Sequence, residues 1–143
     1  MSYKVITDSA CDIDEKLKAN KNFHQVPLNI YVGESEFLDD DQLDTLELLK
    51  EMKNFPEAPS TASPSPYDFL EKYDGEEGVF VVTLSSKLSS TFNHAVMAKK
   101  MYLKEKKEKF IHIFDSMSAS VGEMLISMKI LELIKENKSE KVI

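Results

Sequence analysis

The sequence contains no arginine: all 18 basic residues are lysine, against 25 Asp and Glu, for a net charge of −7. Without a guanidinium the chain has no bidentate fork for a carboxylate, a phosphate or a guanine edge. The acidic balance also argues against nucleic acid as a partner. Any anion site must therefore be built from hydroxyls, backbone N–H groups, His or Lys. Cysteine occurs once, as Cys11, which excludes an internal disulfide and suits a reducing cytoplasm. Only four glycines are present, at positions 33, 75, 78 and 122, so neither G-x-G-x-x-G nor a P-loop can be written. No apolar run approaches the ~18 residues of a membrane span. The N-terminus, MSYKVITDSACD, has neither the basic region nor the apolar region of a secretion signal, and the expected location is the cytoplasm.

What remains is the profile of a soluble globular chain: 143 residues, 42% hydrophobic and 30% charged. That length fits one domain whose core buries roughly 68–70% of the unfolded surface. Lys4–Thr7 reads as a short strand that stops at Asp8-Ser9. From Ser9 to Lys18 there is a helix-start signal, with Ser9 or Asp12 as N-cap and Ile13 and Leu17 four residues apart. Gln25–Val32 reads as a second strand ending at Gly33, with Pro27 marking a strand start, an edge or a bulge. Residues 34–41 read as an acidic turn region leading into a helix from Leu43 to Met52, whose apolar positions are Leu43, Leu46, Leu48 and Leu49.

Residues 54–66, NFPEAPSTASPSP, hold four of the five prolines. The stretch reads as a linker, or as a lead-in whose Pro64 and Pro66 start a helix over Tyr67–Tyr73. Gly78–Leu84, GVFVVTL, is a continuous apolar run of the kind found in buried parallel strands. A serine-rich turn and a helix from Leu88 to Leu103 follow, then a strand at Phe110–Phe114. A long helix over Ser118–Lys135 comes last, with Leu125, Met128, Leu131 and Ile134 close to one face. Strands alternating with helices predict a three-layer α/β fold, a mainly parallel sheet with helices on both faces.

Ligands of such sheets bind beyond the carboxyl ends of the strands. The residues there are Thr7-Asp8-Ser9, then Thr83-Leu84-Ser85-Ser86, then Asp115-Ser116, with the loop Ser60-Thr61-Ala62-Ser63 between them. Any one of these is most simply a helix cap or a turn residue. Capping does not account for SSKLSST, five hydroxyls in seven residues. Hydroxyls beside the free N–H groups of a helix start suit a carboxylate or phosphate oxygen.

The segments ITDSACDI, VPLNI, STASPSPYDF, TLSSKLSSTFNHA and FDSMSASVGEM resemble, in order and approximate spacing, motifs of the bacterial DegV family of fatty-acid-binding proteins. The match runs across residues 6–124, with Ser90 standing where the family usually has Gly and Thr61-Ala62-Ser63-Pro64 where its loop usually reads Thr-Ser-Gln-Pro. The resemblance implies a long-chain fatty acid in an apolar tunnel, with no further cofactor and no metal. Thr61 and Ser89 or Ser90 are its expected carboxylate ligands, with Ser63 and Thr91 nearby. Asp8, Ser9, Asp115 and Ser116 are motif positions expected to support the loops. Phe80, Phe92, Met97, Met101 and Met124 are candidates for the tunnel wall, although apolar residues at helical spacing are more often plain core. In this family the bound acid is presented to a partner kinase that makes the acyl phosphate, so the resemblance implies a carrier and not an enzyme. Family members are about twice this length, and residues 1–143 are expected to correspond to the N-terminal α/β domain, without the C-terminal domain.

The opposing reading is a hydroxyl-lined hydrolase or phosphotransfer enzyme. Cys11 near a helix start is one candidate nucleophile, and His24, His94 and His112 are the available imidazoles, most simply read as surface or interface residues. No G-x-S-x-G elbow supports that reading. Asp39-Asp40-Asp41 lacks the alternate spacing of a calcium loop and reads as a solvated helix start. Lys99, Lys100, Lys104, Lys106, Lys107 and Lys109 crowd one helix end. The simpler reading is a solvated face with helix-dipole complementarity and Glu105–Lys109 pairing; the functional one is transient docking on an anionic membrane or an acidic kinase surface.

Overall fold

The computed structural model describes residues 2–75, 78–106 and 108–143. The chain runs β1 (Tyr3–Asp8), α1 (Glu15–Lys18), β2 (Phe23–Val26), β3 (Asn29–Val32), β4 (Ser35–Leu38), α2 (Thr45–Asn54) and β5 (Ser60–Ala62). It continues through α3 (Pro66–Tyr73), β6 (Gly78–Thr83), α4 (Thr91–Glu105), β7 (Ile111–Asp115) and α5 (Val121–Lys135). Four strands form a parallel sheet in the order β2-β1-β6-β7, and a smaller antiparallel sheet has the order β4-β3-β5.

Strand β6 is buried along its whole length, as its apolar run requires. Its side chains divide by alternation. Val79 and Val81 join Phe69, Tyr73, Ala95, Ala98 and Tyr102 of α3 and α4 in one cluster. Phe80 and Val82 join Leu17 of α1 and Ile130 of α5 in the other. Helices cover both faces, and the three-layer α/β expectation holds.

Several boundaries differ from the sequence reading, each for a local physical reason. Gln25–Val32 is two strands in two sheets and not one. Pro27 has no N–H to give a ladder, and Leu28 turns the chain, its N–H donating to Ser9 Oγ at 2.9 Å and its carbonyl accepting Asp39 N–H at 2.9 Å. The acidic turn region contains strand β4, joined to β3 by the two-residue turn Gly33-Glu34. Gly33 has φ +60, and a Cβ there would stand 2.6 Å from the Phe55 ring, so the turn requires glycine. The stretch read as a linker contains β5, paired to β3, while Pro66 does open α3, with Ser65 and Asp68 forming a capping box.

Helix α1 is a single turn capped by Asp14, not by Ser9 or Asp12. Helix α2 starts at Thr45, where Asp44 accepts the N–H groups of Leu46 and Glu47 at 3.0 Å each. Leu48 is its buried residue, and Leu46 and Leu49 face solvent. Helix α5 is rotated relative to the expected stripe. Glu123, Ser127 and Ile130 are buried, whereas Leu125 and Met128 are exposed. Leu131 and Ile134 of the expected stripe do pack on the core, so only its Leu125–Met128 half lies open.

Candidate functional site

Parallel register brings the carboxyl ends of the strands together. Asp8 lies opposite Val26, Thr7 opposite Val82, and Thr83 opposite Asp115. The loops leaving these ends hold one another. Asp8 Oδ2 accepts Leu84 N–H at 2.7 Å and its Oδ1 accepts Ala10 N–H at 3.1 Å. Asp115 accepts Ser86 Oγ–H at 2.5 Å and the N–H groups of Ser86 and Met117 at 3.1 and 3.0 Å. These donors, Ser86 first, hold its carboxyl below the usual aspartate range. Ser85 N–H reaches Ser118 O at 2.9 Å, joining the loop after β6 to the loop after β7. Ser116 ties the second loop to the sheet, its N–H on Thr83 O at 3.2 Å and its Oγ–H on Ser118 O at 3.2 Å. Asp8, Ser9, Asp115 and Ser116 are each bonded to loop backbone.

The hydroxyl-rich turn ends on α4. Ser90 is the N-cap residue, with φ −77, so a side chain where a glycine is usual brings no left-handed strain. Its hydroxyl makes no capping bond, and the first turn of α4 has no acidic residue. Thr91 is fully buried, and its Oγ1 lies 2.8 Å from Ser89 Oγ, which also accepts Thr91 N–H at 3.3 Å. Either hydroxyl of this pair can donate to the other, so the two form one hydrogen-bonded unit at the head of α4.

The second hydroxyl segment is brought alongside by His94. Its Nδ1 lies 2.8 Å from Pro64 O and 3.2 Å from Ser63 Oγ. The carbonyl can only accept, so Nδ1 carries the proton. Thr61, in register with Ile30, and Ser90 are exposed, while Ser63 and Ser89 are half-buried. The loops around them present apolar side chains: Leu88 is 70% exposed, Met117 75%, and Val121, the first residue of α5, 48%. Met117 and Ser120 take positive φ, 50 and 57, backbone strain of the kind that gathers at binding sites.

Candidates for the tunnel wall divide. Phe80 is fully buried among Tyr3, Phe110 and Phe114, ring centroids 5.4, 5.1 and 6.2 Å away. Met124 packs on that same cluster. Phe92, Met97 and Met101 sit on α4, with Met97 exposed and the other two half-buried. Clefts of about 750 and 290 Å³ lie elsewhere, the larger lined by Cys11, Asp12, His24, Asp39, Asp40 and Asp41 among others. Neither contains the hydroxyl turn.

The groups expected of a nucleophilic site are disposed otherwise. Cys11 is buried and its thiol is pushed up to about 12, by burial first and then by the neighbouring Glu123. It precedes α1 by four residues and is beside carboxylates, so no helix dipole holds a thiolate there. His24 and His112 are exposed, the latter edge-on to Phe114 at 4.5 Å. Asp40 accepts Gln42 N–H at 2.8 Å and closes a turn before α2. In the lysine cluster, Lys106 pairs with Asp74 and Lys109 donates to Tyr73 O and Gly75 O, fastening the end of α4 to that of α3. Lys99 is half-buried, Lys100 and Lys104 are exposed, and Lys107 lies outside the described residues.

Glu123 is a group that the sequence reading did not single out. It is fully buried, its Oε1 accepts Ser120 N–H at 3.2 Å, and its Oε2 has no donor. Asp8, also fully buried, is within hydrogen-bonding reach of it. Burial first, then the Asp8 charge, raises Glu123 to about 8, and burial raises Asp8 as well. Since the folded value lies above the unfolded one, the Glu123 contribution to stability is complete below about 4.5, the ordinary glutamate value, and is lost as pH rises through about 8. Thermal unfolding followed across that window is expected to show a higher Tm near the acid end, and in a Glu123→Gln variant a smaller decline.

The parallel sheet thus gathers hydroxyls and exposed apolar side chains on the loops at one end. The DegV family model, described as an uncharacterised protein family, matches residues 2–143, and the chain belongs to the DegV family. A DegV domain-containing protein of Streptococcus gordonii is 38% identical over 141 residues, which are 97% of this chain and 50% of that protein. A DegV family protein of Ruminococcus gnavus, solved with vaccenic acid, superposes with TM-score 0.93 at 40% identity, over 97% of this chain and 50% of that one. The fatty acid kinase B3 protein of Streptococcus pneumoniae, loaded with linoleic acid, gives 0.89 at 36% identity over the same shares. The chain therefore spans about half the length of the relatives it matches. Among the described residues, no helix is long and apolar enough to cross a membrane.

Proposed function

We propose that this chain supplies the head-group half of a long-chain fatty-acid carrier, binding the carboxylate through Ser89 and the α4 start, with Thr61, Ser63, Ser90 and Thr91 around it. The observation that carries this reading is the gathering of the Ser89 and Thr91 hydroxyls at the start of α4, among loops that present Leu88, Met117 and Val121 to solvent. Relatives solved with vaccenic and linoleic acid support it. An acyl chain of about 15 methylenes gains ~12 kcal/mol gross on full burial, at ~0.8 kcal/mol each. The hydroxyls thus set orientation more than affinity. The acid is presented to a kinase, a reading supported by the fatty acid kinase B3 protein among the relatives.

Catalysis by the chain itself is the weaker reading. Ser63 and His94 have the spacing of a nucleophile and its base, but a protonated Nδ1 held by Pro64 O cannot take the Ser63 proton. Lipid extraction and mass spectrometry of the purified chain tests the carrier, with a co-purifying long-chain fatty acid as the expected result. Ser89→Ala is expected to weaken oleate binding about ten- to hundredfold, the loss of a hydrogen bond to a charged group, and Thr61→Ala to weaken it less. Turnover of an acyl ester abolished by Thr61→Ala would instead establish the enzyme.

Transient membrane contact belongs to the same reading. Lys99, Lys100 and Lys104, which leave the α3–α4 fastening to Lys106 and Lys109, are the residues to reverse. A triple Lys→Glu variant is expected to take oleate from anionic vesicles about a hundredfold more slowly, at about 1 kcal/mol per lysine near the surface. Unchanged transfer would remove the membrane contact.

A further inference from the structure

The interior beneath α5 holds polar groups that the carboxylate site does not use. Thr7 Oγ1, Glu123 Oε2 and Ser127 Oγ are buried without a hydrogen-bond partner among the described residues. A buried polar atom left unpaired is costly, and a carboxylate oxygen is the costliest of the three. A proton on Glu123 resolves it. The neutral acid gains a donor, and Asp8 is the acceptor within reach.

We propose that Glu123 is a positioning residue for the carboxylate-binding turn: it is a neutral acid in the folded chain and donates its O–H to Asp8, whose Oδ2 holds Leu84 N–H at the root of Ser85–Thr91. This rests on the fatty-acid reading for its ligand, though not for its chemistry. The connection is short and made of named bonds. Ser120 N–H fixes Oε1 at 3.2 Å, and Asp8 grips Leu84 at 2.7 Å and Ala10 at 3.1 Å; the proposed O–H on Oε2 is the link between the two ends. Ser85 and Ser86 follow Leu84 directly and carry the bonds to Ser118 and Asp115.

Among the described residues, the groups that shift Glu123 are acidic or neutral. Asp8 comes from β1, and Cys11 and Asp12 come from the loop after it, with Asp12 taken by Ser120 Oγ–H at 2.6 Å. No cation is among the neighbours that set its charge state, so losing the proton places two carboxylates together in the interior. That repulsion is relieved by moving α5 or the Leu84 loop, and either displaces the turn.

Carbon-detected NMR of the carboxyl groups in the intact chain tests the proton directly. The Glu123 carboxyl is expected to remain protonated at about pH 6, far above the ordinary glutamate range, and to titrate together with a shift of the Leu84 amide. Titration in the ordinary range overturns the proposal, whether or not the chain binds fatty acid. Glu123→Gln keeps a donor for Asp8 and an acceptor for Ser120 N–H, while Glu123→Ala keeps neither. Oleate affinity of wild type relative to Glu123→Gln is expected to be near unity at about pH 6 and to fall about tenfold by about pH 9, a ratio from which oleate's own titration cancels. Glu123→Ala is expected to lose affinity even at the lower pH. A ratio flat with pH, or a Gln variant as impaired as the Ala variant, overturns the positioning role. If no variant binds oleate at any pH, the ligand reading fails, and the carboxyl titration with the Leu84 amide still decides the proton.

Discussion

Asp8→Ala is expected to destabilise the chain by about 3–5 kcal/mol, the cost of leaving several buried donors unpaired at once. Asp8 is fully buried at the end of β1, and the substitution leaves Leu84 N–H and Ala10 N–H without the oxygens that now accept them at 2.7 and 3.1 Å. Each unpaired buried donor costs about 1–3 kcal/mol, and Glu123 loses its acceptor at the same time. Asp8→Asn retains the shape and one accepting oxygen, so its cost is expected to be about half. Urea denaturation of both variants measures the difference. A loss below about 1 kcal/mol for Asp8→Ala, in the range of one ordinary hydrogen bond, would mean that the strand ends are not held together by this carboxylate.

Phe80→Ala is the second large effect, about 3–5 kcal/mol. Phe80 lies on the central strand β6, 1% exposed, with three aromatic rings whose centroids lie within 6.2 Å. Nothing on that face can collapse into the space without moving β7 or α5. The same measurement separates two roles for this residue. A core residue costs stability when truncated; a tunnel residue exposed to a ligand costs affinity and little stability. Burial within the Tyr3–Phe110–Phe114 cluster favours the first. Met97→Ala, on the exposed side of α4, is expected to change stability by less than about 0.5 kcal/mol.

Three of the four central strands were legible because they advertise themselves, whereas β2 was merged with β3 into one run. GVFVVT is an apolar run closed by a threonine, and FIHIF and KVIT are short runs followed by an aspartate. The small sheet was not, because its strands exist through pairing alone. Ser60–Ala62 and Ser35–Leu38 carry little apolar pattern, and each is defined by its ladder to β3. Pro27 signalled an interruption, but only three-dimensional packing makes the segment after it change sheets. In α2 and α5, periodicity located the helices and misjudged the buried side. Leu46 and Leu49 face solvent, and Glu123 turns inward.

For the site, residue type was the readable part. Hydroxyl density after β6 and in the Ser60–Ser63 loop pointed to the segments that His94 brings together. His94 itself carried no signal beyond being an imidazole near a helix start. Glu123 had one: Ser120-x-x-Glu123 is a capping-box pattern at the head of an apolar helix. That pattern predicts a helix start and says nothing of burial beside Asp8, which depends on how α5 lies across β1.

Titrating the delipidated chain with oleate, and in parallel with methyl oleate, while following its backbone amide resonances tests the head-group site most directly. The two probes share an acyl chain and differ in the carboxylate. Binding of the acid through the hydroxyl turn is expected to give saturable, one-to-one shifts concentrated at Thr61, Ser63 and Ser89–His94, and the ester is expected to leave those amides nearly unmoved. Identical shifts from acid and ester, or no shift at these residues on saturation with oleate, would contradict the account.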